Sequence, residues 1–222
     1  DSCETMFVPV KPRGDVTCYS SYVAHLMVTG VGGFIATDDS KLATVMRSMM
    51  FHGRDDSYLN IDDKPKNIAK RFYFPRFGYS DRMTELEAAI GLGELENWKE
   101  MITKRQAHAI NLLVRLYNLP IEFPFIAMEA REHAFMFFPF FVDKRDKLMM
   151  YLEKHGIQTR TMMPLTTQPL VQRYLVTDKF PVADYINQHG ILIGCHQYME
   201  DKDIDYIAKV IRRFYESAHN RK

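Results

Sequence analysis

From Thr84 onward the chain keeps a helical pattern for more than thirty residues, with Leu86, Ala89, Ile90, Leu95, Trp98, Ile102, Ile110 and Leu113 at helix-like spacings. Thr84 followed by Glu87 makes a capping box that marks the start of this run. A straight helix of that length would reach roughly 50 Å, more than a small domain is wide. The run is therefore expected to bend or to divide into two consecutive helices, leading from one domain into another.

Before it, apolar periodicity alternates between strand and helix. Asp15 to Tyr22 and Gly33 to Thr37 read as short strands joined by the Gly-rich turn Thr29-Gly30-Val31-Gly32-Gly33. Asp38-Asp39-Ser40 caps a helix whose apolar face carries Leu42, Val45, Met46 and Met49 and which stops near Gly53. The polar stretch from Arg54 to Lys70 reads as a long loop, the kind that carries function or partner contacts. Beyond Pro120 the pattern is strand (Phe135 to Val142), helix (Lys144 to His155), strand (Ile157 to Met162) and two short helices (Gln168 to Leu175, Phe180 to His189). A strand (Ile191 to Gly194) and a final helix (Asp201 to Ser217) complete a small α+β domain. The aromatic run Phe135 to Phe141 reads as its core strand rather than as a platform for stacking a ligand.

Charge and cysteines narrow the function. Lys and Arg number 29 against 28 Asp and Glu, so no basic field exists to make nucleic acid the expected partner. The longest apolar run, Ala134 to Val142, is too short to cross a bilayer as a helix, and no membrane association is expected. Cys3, Cys18 and Cys195 form no CxxC pair, no secretory leader is visible, and a cytoplasmic location is expected. Cys195 and His196, adjacent on a strand pattern, point to opposite faces and make poor joint ligands, so no metal is expected. A GxSxG elbow, a P-loop and a Rossmann spacing are all absent.

Several segments in order carry a resemblance. Asp1-Ser-Cys-Glu4, Ser20-Ser-Tyr-Val-Ala-His25 followed by Thr29-Gly-Val-Gly-Gly33, His52-Gly-Arg-Asp55, Gly78-Tyr-Ser-Asp-Arg82, Glu87-Ala-Ala-Ile-Gly-Leu92 and Gly190-Ile-Leu-Ile-Gly-Cys-His-Gln197 resemble the DegT/DnrJ/EryC1/StrS family. These are enzymes of the pyridoxal-phosphate fold that act on nucleotide-linked keto sugars. The resemblance implies an α/β fold, the C-terminal part of a fold type I PLP-dependent transferase. Residues 1–118 would end the large cofactor-binding domain with its connecting helix, and 119–222 would form the small α+β domain. It also implies a further N-terminal portion carrying a phosphate-binding turn and a ring-stacking aromatic.

Residue by residue, the resemblance implies that Asp1 pairs with the cofactor's pyridine nitrogen; an anion there keeps the ring an electron sink. Glu4 falls near the ring hydroxyl, and Ser20 matches the hydroxyl that binds the cofactor phosphate. Ser80 stands where many members place an Asn that reaches the phosphate of the neighbouring subunit, which implies a homodimer. Arg54 and Arg82 suit a substrate diphosphate or carboxylate, or equally a salt bridge that holds a loop.

The departure is His25, where aminotransferases of the family carry the lysine that forms the Schiff base. Imidazole has no primary amine for that linkage but serves as a general base near neutral pH. Lys11 and Lys41, 14 and 16 residues away, do not replace it. A His in this place is similar to the family's sugar 3-dehydratases, which use pyridoxamine phosphate. That implies removal of the C3 hydroxyl from a nucleotide-linked 4-keto-6-deoxy sugar, with His25 as catalytic base and glutamate as amino donor. Only three scattered cysteines exclude the iron–sulfur type of dehydratase. Two alternatives stay open, a sugar aminotransferase of the family and a non-catalytic regulatory relative.

Overall fold

The computed structural model describes residues 1–11, 13–54, 72–163, 165–174 and 179–219. Two compact units emerge: one holds 1–6 and 10–97, the other 7–9 and 98–222. In contact terms the chain thus divides between Asn97 and Trp98, inside the long helical run.

The first unit is built on a two-stranded antiparallel sheet of β1 (Thr17–Ser20) and β2 (Gly33–Ala36), with Ser20 opposite Gly33. Helix α1 (Ser40–Met50) follows, and the Asp39 side chain caps it by accepting the Lys41 and Leu42 amides at 2.7 and 3.2 Å. It ends at Phe51, and His52 and Gly53 then turn through positive φ. A Cβ on Gly53 would overlap the Arg76 carbonyl, and one on Gly78 would overlap the Gly53 amide. Only glycines permit this backbone approach, which the amides of His52 and Tyr79 close by bonding Tyr79 O and Met49 O. Of the loop expected from 54 to 70, only Arg54 lies within the described residues.

Helix α2 (Glu85–Glu96) starts at the expected capping box: the Thr84 amide donates to Glu87 Oε2 at 2.6 Å, and the Glu87 amide donates to Thr84 Oγ1 at 3.5 Å. It ends at Asn97, and α3 (Trp98–Leu116) begins immediately. The long run is therefore two consecutive helices. Alpha2 buries only Gly91, while Leu86, Ile90, Leu92 and Leu95 stay exposed.

The second unit packs α3 and α7 (Asp201–His219) with α4 (Arg145–Lys154) around an antiparallel sheet in the order β3 (Phe137–Phe141), β5 (Gly190–Gly194), β4 (Thr159–Thr161). Its core joins Ala109, Leu112 and Leu116 of α3 with Phe138, Phe140, Leu148, Leu152, Ile191, Ile193, Ile204 and Ile211. Phe138 and Phe140 alternate on β3 and are fully buried, so the aromatic run is a core strand. Strand β3 is shorter than its apolar run because Phe135 adopts a left-handed conformation at φ 47°. Strand β4 is shorter than expected because the Ile157 amide bonds Leu152 O at the end of α4, leaving sheet pairing to start at Thr159. Two helices, α5 (Pro169–Gln172) and α6 (Pro181–His189), complete the unit. Leu175, in the expected helix at 168–175, lies outside the described residues.

Truncating Phe138 to Ala removes a fully buried ring and should cost about 3–5 kcal/mol in denaturant unfolding. Phe77→Ala, at a side chain 99% exposed, should leave the midpoint unchanged within roughly 0.5 kcal/mol.

Candidate active site

In the first unit, one tight turn carries two of the candidate residues. Ser20 ends β1, and its Oγ accepts the Tyr22 amide at 3.2 Å. The His25 amide then bonds Tyr22 O at 2.9 Å, so the hydroxyl and the imidazole stand at the two ends of one short turn. Buried Leu26 and Met27 anchor it from below. Thr29 locks it: its hydroxyl bonds Ser21 Oγ at 2.6 Å and Val31 O at 2.9 Å, and its amide bonds Ser21 O at 2.9 Å. The His25 ring is half-buried, edge-on to Tyr22 with centroids 6.5 Å apart, and its Nδ1 is shielded without a hydrogen-bond partner.

The chain start lies alongside this strand. The Ser2 amide donates to Cys18 O at 2.8 Å, and Asp1 Oδ1 accepts the Cys3 amide at 3.0 Å. Both Asp1 and Glu4 are exposed. A carboxylate, a hydroxyl and an imidazole with an unused ring nitrogen thus belong to the chain start bonded to β1, the end of β1 and the turn that follows it. That donor set fits a protonated pyridine nitrogen, a phosphate and a proton to be moved.

The other three candidates stand in different surroundings. Arg82 donates to Ser80 Oγ at 3.1 Å and lies over the Phe51 ring at 5.3 Å. Ser80 and Arg82 line a cleft of about 990 Å³ together with Arg47, Phe51 and strand β2, and the cleft does not include Asp1, Ser20 or His25. Arg54 lies between the rings of Phe72 and Phe74, 5.4 Å from each, and its Nε is buried without a partner. Among the described residues no group of three or more His, Cys, Asp or Glu is placed to hold a metal ion, and no helix is long and apolar enough to cross a membrane.

A polar cluster in the second unit was not anticipated. Arg105, only 6% exposed, donates from Nε to Gln197 Oε1 at 3.0 Å and from Nη1 to Phe135 O at 3.0 Å and Met136 O at 3.4 Å. Burial lowers its pKa. Beside it the Cys195 thiol bonds Arg105 O at 3.4 Å, and burial pushes that thiol up to about 12. The signal for this cluster was present in α3, where a cation interrupts the buried series Met101, Ile102, Ala109, Leu112.

At pH 8, iodoacetamide should alkylate exposed Cys18 and spare Cys195 until the chain is unfolded, which peptide mass spectrometry checks.

Residues 9–212 match the model of the DegT/DnrJ/EryC1/StrS aminotransferase family. The chain is 29% identical over 203 residues to GDP-perosamine synthase of Caulobacter vibrioides, covering 87% of this chain and 51% of that protein. It is 25% identical over 238 residues to GDP-4-keto-6-deoxy-D-mannose 3-dehydratase of Escherichia coli O55:H7, covering 96% and 59%. The structure of E. coli GDP-4-keto-6-deoxy-D-mannose-3-dehydratase with bound hydrated PLP superposes with a TM-score of 0.77 at 24% identity, over 95% of this chain and 59% of that one. The chain spans about half the length of the curated relatives it matches. The α/β fold is that of fold type I PLP-dependent enzymes. With the matched span running from the segment before β1 into the last helix, the chain belongs to the DegT/DnrJ/EryC1/StrS aminotransferase family.

Proposed function

We propose that the chain forms part of a pyridoxamine- or pyridoxal-phosphate-dependent enzyme that removes the C3 hydroxyl of a nucleotide-linked 4-keto-6-deoxy sugar. The observation that carries the reading is His25: a half-buried imidazole with a free, shielded Nδ1, on the turn that follows Ser20, where the family's aminotransferases carry lysine. The similarity to a GDP-4-keto-6-deoxy-D-mannose 3-dehydratase supports it. Bound there, the cofactor supplies a conjugated electron sink next to the sugar's C4.

Each residue then has a defined task. Asp1 pairs with the pyridine nitrogen, Glu4 lies near the ring hydroxyl, and Ser20 binds the phosphate. His25 would take the proton from the cofactor's methylene carbon, and the enclosure of its Nδ1 keeps water from that nitrogen. Ser80 contributes to the phosphate site of a neighbouring subunit, while Arg54 and Arg82 meet the substrate's diphosphate. Homodimerisation is supported by the exposed apolar side chains of α2, Leu86, Ile90, Leu92 and Leu95. The sugar loses one oxygen; glutamate gains one in becoming 2-oxoglutarate, and its nitrogen leaves as ammonia, so the cycle balances. The second reading is transamination, which the similarity to GDP-perosamine synthase favours.

The test supplies the protein with pyridoxamine phosphate, glutamate and a nucleotide-linked 4-keto-6-deoxy sugar. Mass spectrometry should detect a product lighter by one oxygen together with ammonia, and His25→Asn should reduce turnover by roughly 100-fold or more. An amino sugar would favour transamination, and no binding of either cofactor form by the full-length protein would favour a non-catalytic relative. His25→Lys supplies a primary amine at the same position, so borohydride treatment with pyridoxal phosphate should attach the cofactor covalently to that residue. A folded variant that stays unlabelled would remove His25 from the cofactor site.

A further inference from the structure

The segment that follows His25 is supported by a helix of the same unit. Between His25 and the locked Thr29 the backbone runs through Leu26, Met27 and Val28, and Leu26 and Met27 are buried. The Val28 amide donates out of this turn to Glu94 Oε2 of α2 at 3.4 Å. Gly91 stands about one turn earlier on the same helix face, and it is the residue that α2 buries. A Cβ at 91 would lie 2.9 Å from Met27 Cε and 3.1 Å from Thr29 Cγ2. The methionine tip can swing away, but Thr29 is fixed by the bonds of its hydroxyl to Ser21 Oγ and Val31 O. Glycine weakens a helix, and α2 carries two. Around Gly93 the space is open, so packing makes no demand there, whereas Gly91 is what lets the helix close on the turn. All of these residues belong to the first unit.

We propose that Gly91 and Glu94 are positioning residues for His25. Gly91 lets α2 approach Met27 and Thr29, and Glu94 holds the Val28 amide, so the backbone leaving the imidazole is kept in one conformation. Both act through the segment 26–29 rather than on the ring itself. That His25 moves a proton rests on the proposed function; the support of its turn by α2 does not. What the Val28 amide needs from residue 94 is an acceptor oxygen and not a charge. Glutamine therefore serves in place of glutamate, and methionine, of similar length but without an oxygen, does not.

The full-length protein is prepared with isotope-labelled valine and histidine, and NMR follows hydrogen exchange at the Val28 amide together with the His25 Cε1 proton, identified by its loss in His25→Asn. In Glu94→Met the Val28 amide should exchange roughly fivefold faster or more and the His25 signal should move, while Glu94→Gln keeps both as in the parent. Gly91→Ala should also move the His25 signal. Gly93→Ala adds the same methyl group where nothing meets it and should leave that signal in place. In the dehydration assay Glu94→Met should lower kcat roughly tenfold and keep the KM for the sugar within about twofold, because orientation rather than binding is lost. Should Gly91→Ala fail to fold, the two Glu94 variants decide alone. An unmoved His25 signal in Glu94→Met, a glutamine variant that behaves like the methionine one, a Gly93→Ala shift as large as that of Gly91→Ala, or an active enzyme whose kcat survives Glu94→Met overturns the assignment. The NMR signals are read without cofactor or sugar, so absence of turnover counts against the proposed function alone, and unmoved signals count against this assignment alone.

Discussion

The first unit depends on one buried hydroxyl pair. Thr29 and Ser21 are almost fully enclosed, and their contact joins the strand exit to the glycine turn that opens β2. Backbone polar groups at such a reversal must find partners inside the protein, and the buried pair supplies them: Ser21 N–H goes to Gly32 O, Thr29 N–H to Ser21 O, and the Thr29 hydroxyl spans to Val31 O. Everything between these residues is consequently held in one conformation. Ser20, just before the pair, and His25, within it, are held by this network together with their own bonds to Tyr22.

The two units hold themselves together by different means. The second is a layered body in which three helices cover a three-stranded sheet, with the Phe138 ring of β3 edge-on to Phe125 and tilted against Phe123. The first relies on a two-stranded sheet whose β2 residues are all exposed, with Phe34 and Ile35 open on opposite faces. Such a hairpin is marginal alone and gains stability when further layers cover it.

Local chemistry was the part of the molecule most easily read from sequence. Asp39 and the Thr84–Glu87 pair are caps whose partners lie within three residues, so their geometry follows from residue type and spacing alone. The alternation of Phe138 and Phe140 similarly announced a buried strand face. What escaped were features decided at long range. Arg105 meets Gln197 across 92 positions, and the left-handed Phe135 that trims β3 is a non-glycine residue with no sequence mark. At the candidate site, Ser20 and His25 were legible only through the resemblance, and the structure puts them at the two ends of one short turn. Spacing could not foresee that Ser80 and Arg82 line a separate cleft, or that Arg54 is gripped by rings eighteen and twenty positions ahead.

The glycine contact between Gly53 and Gly78 makes the chain between them a closed excursion whose two feet are fixed by backbone alone. Lengthening such an excursion costs little, since doubling a closed loop adds only about 0.6 kcal/mol. The contact tolerates no side chain at either foot, so a Cβ at 53 or 78 would part the end of α1 from the segment that carries Ser80.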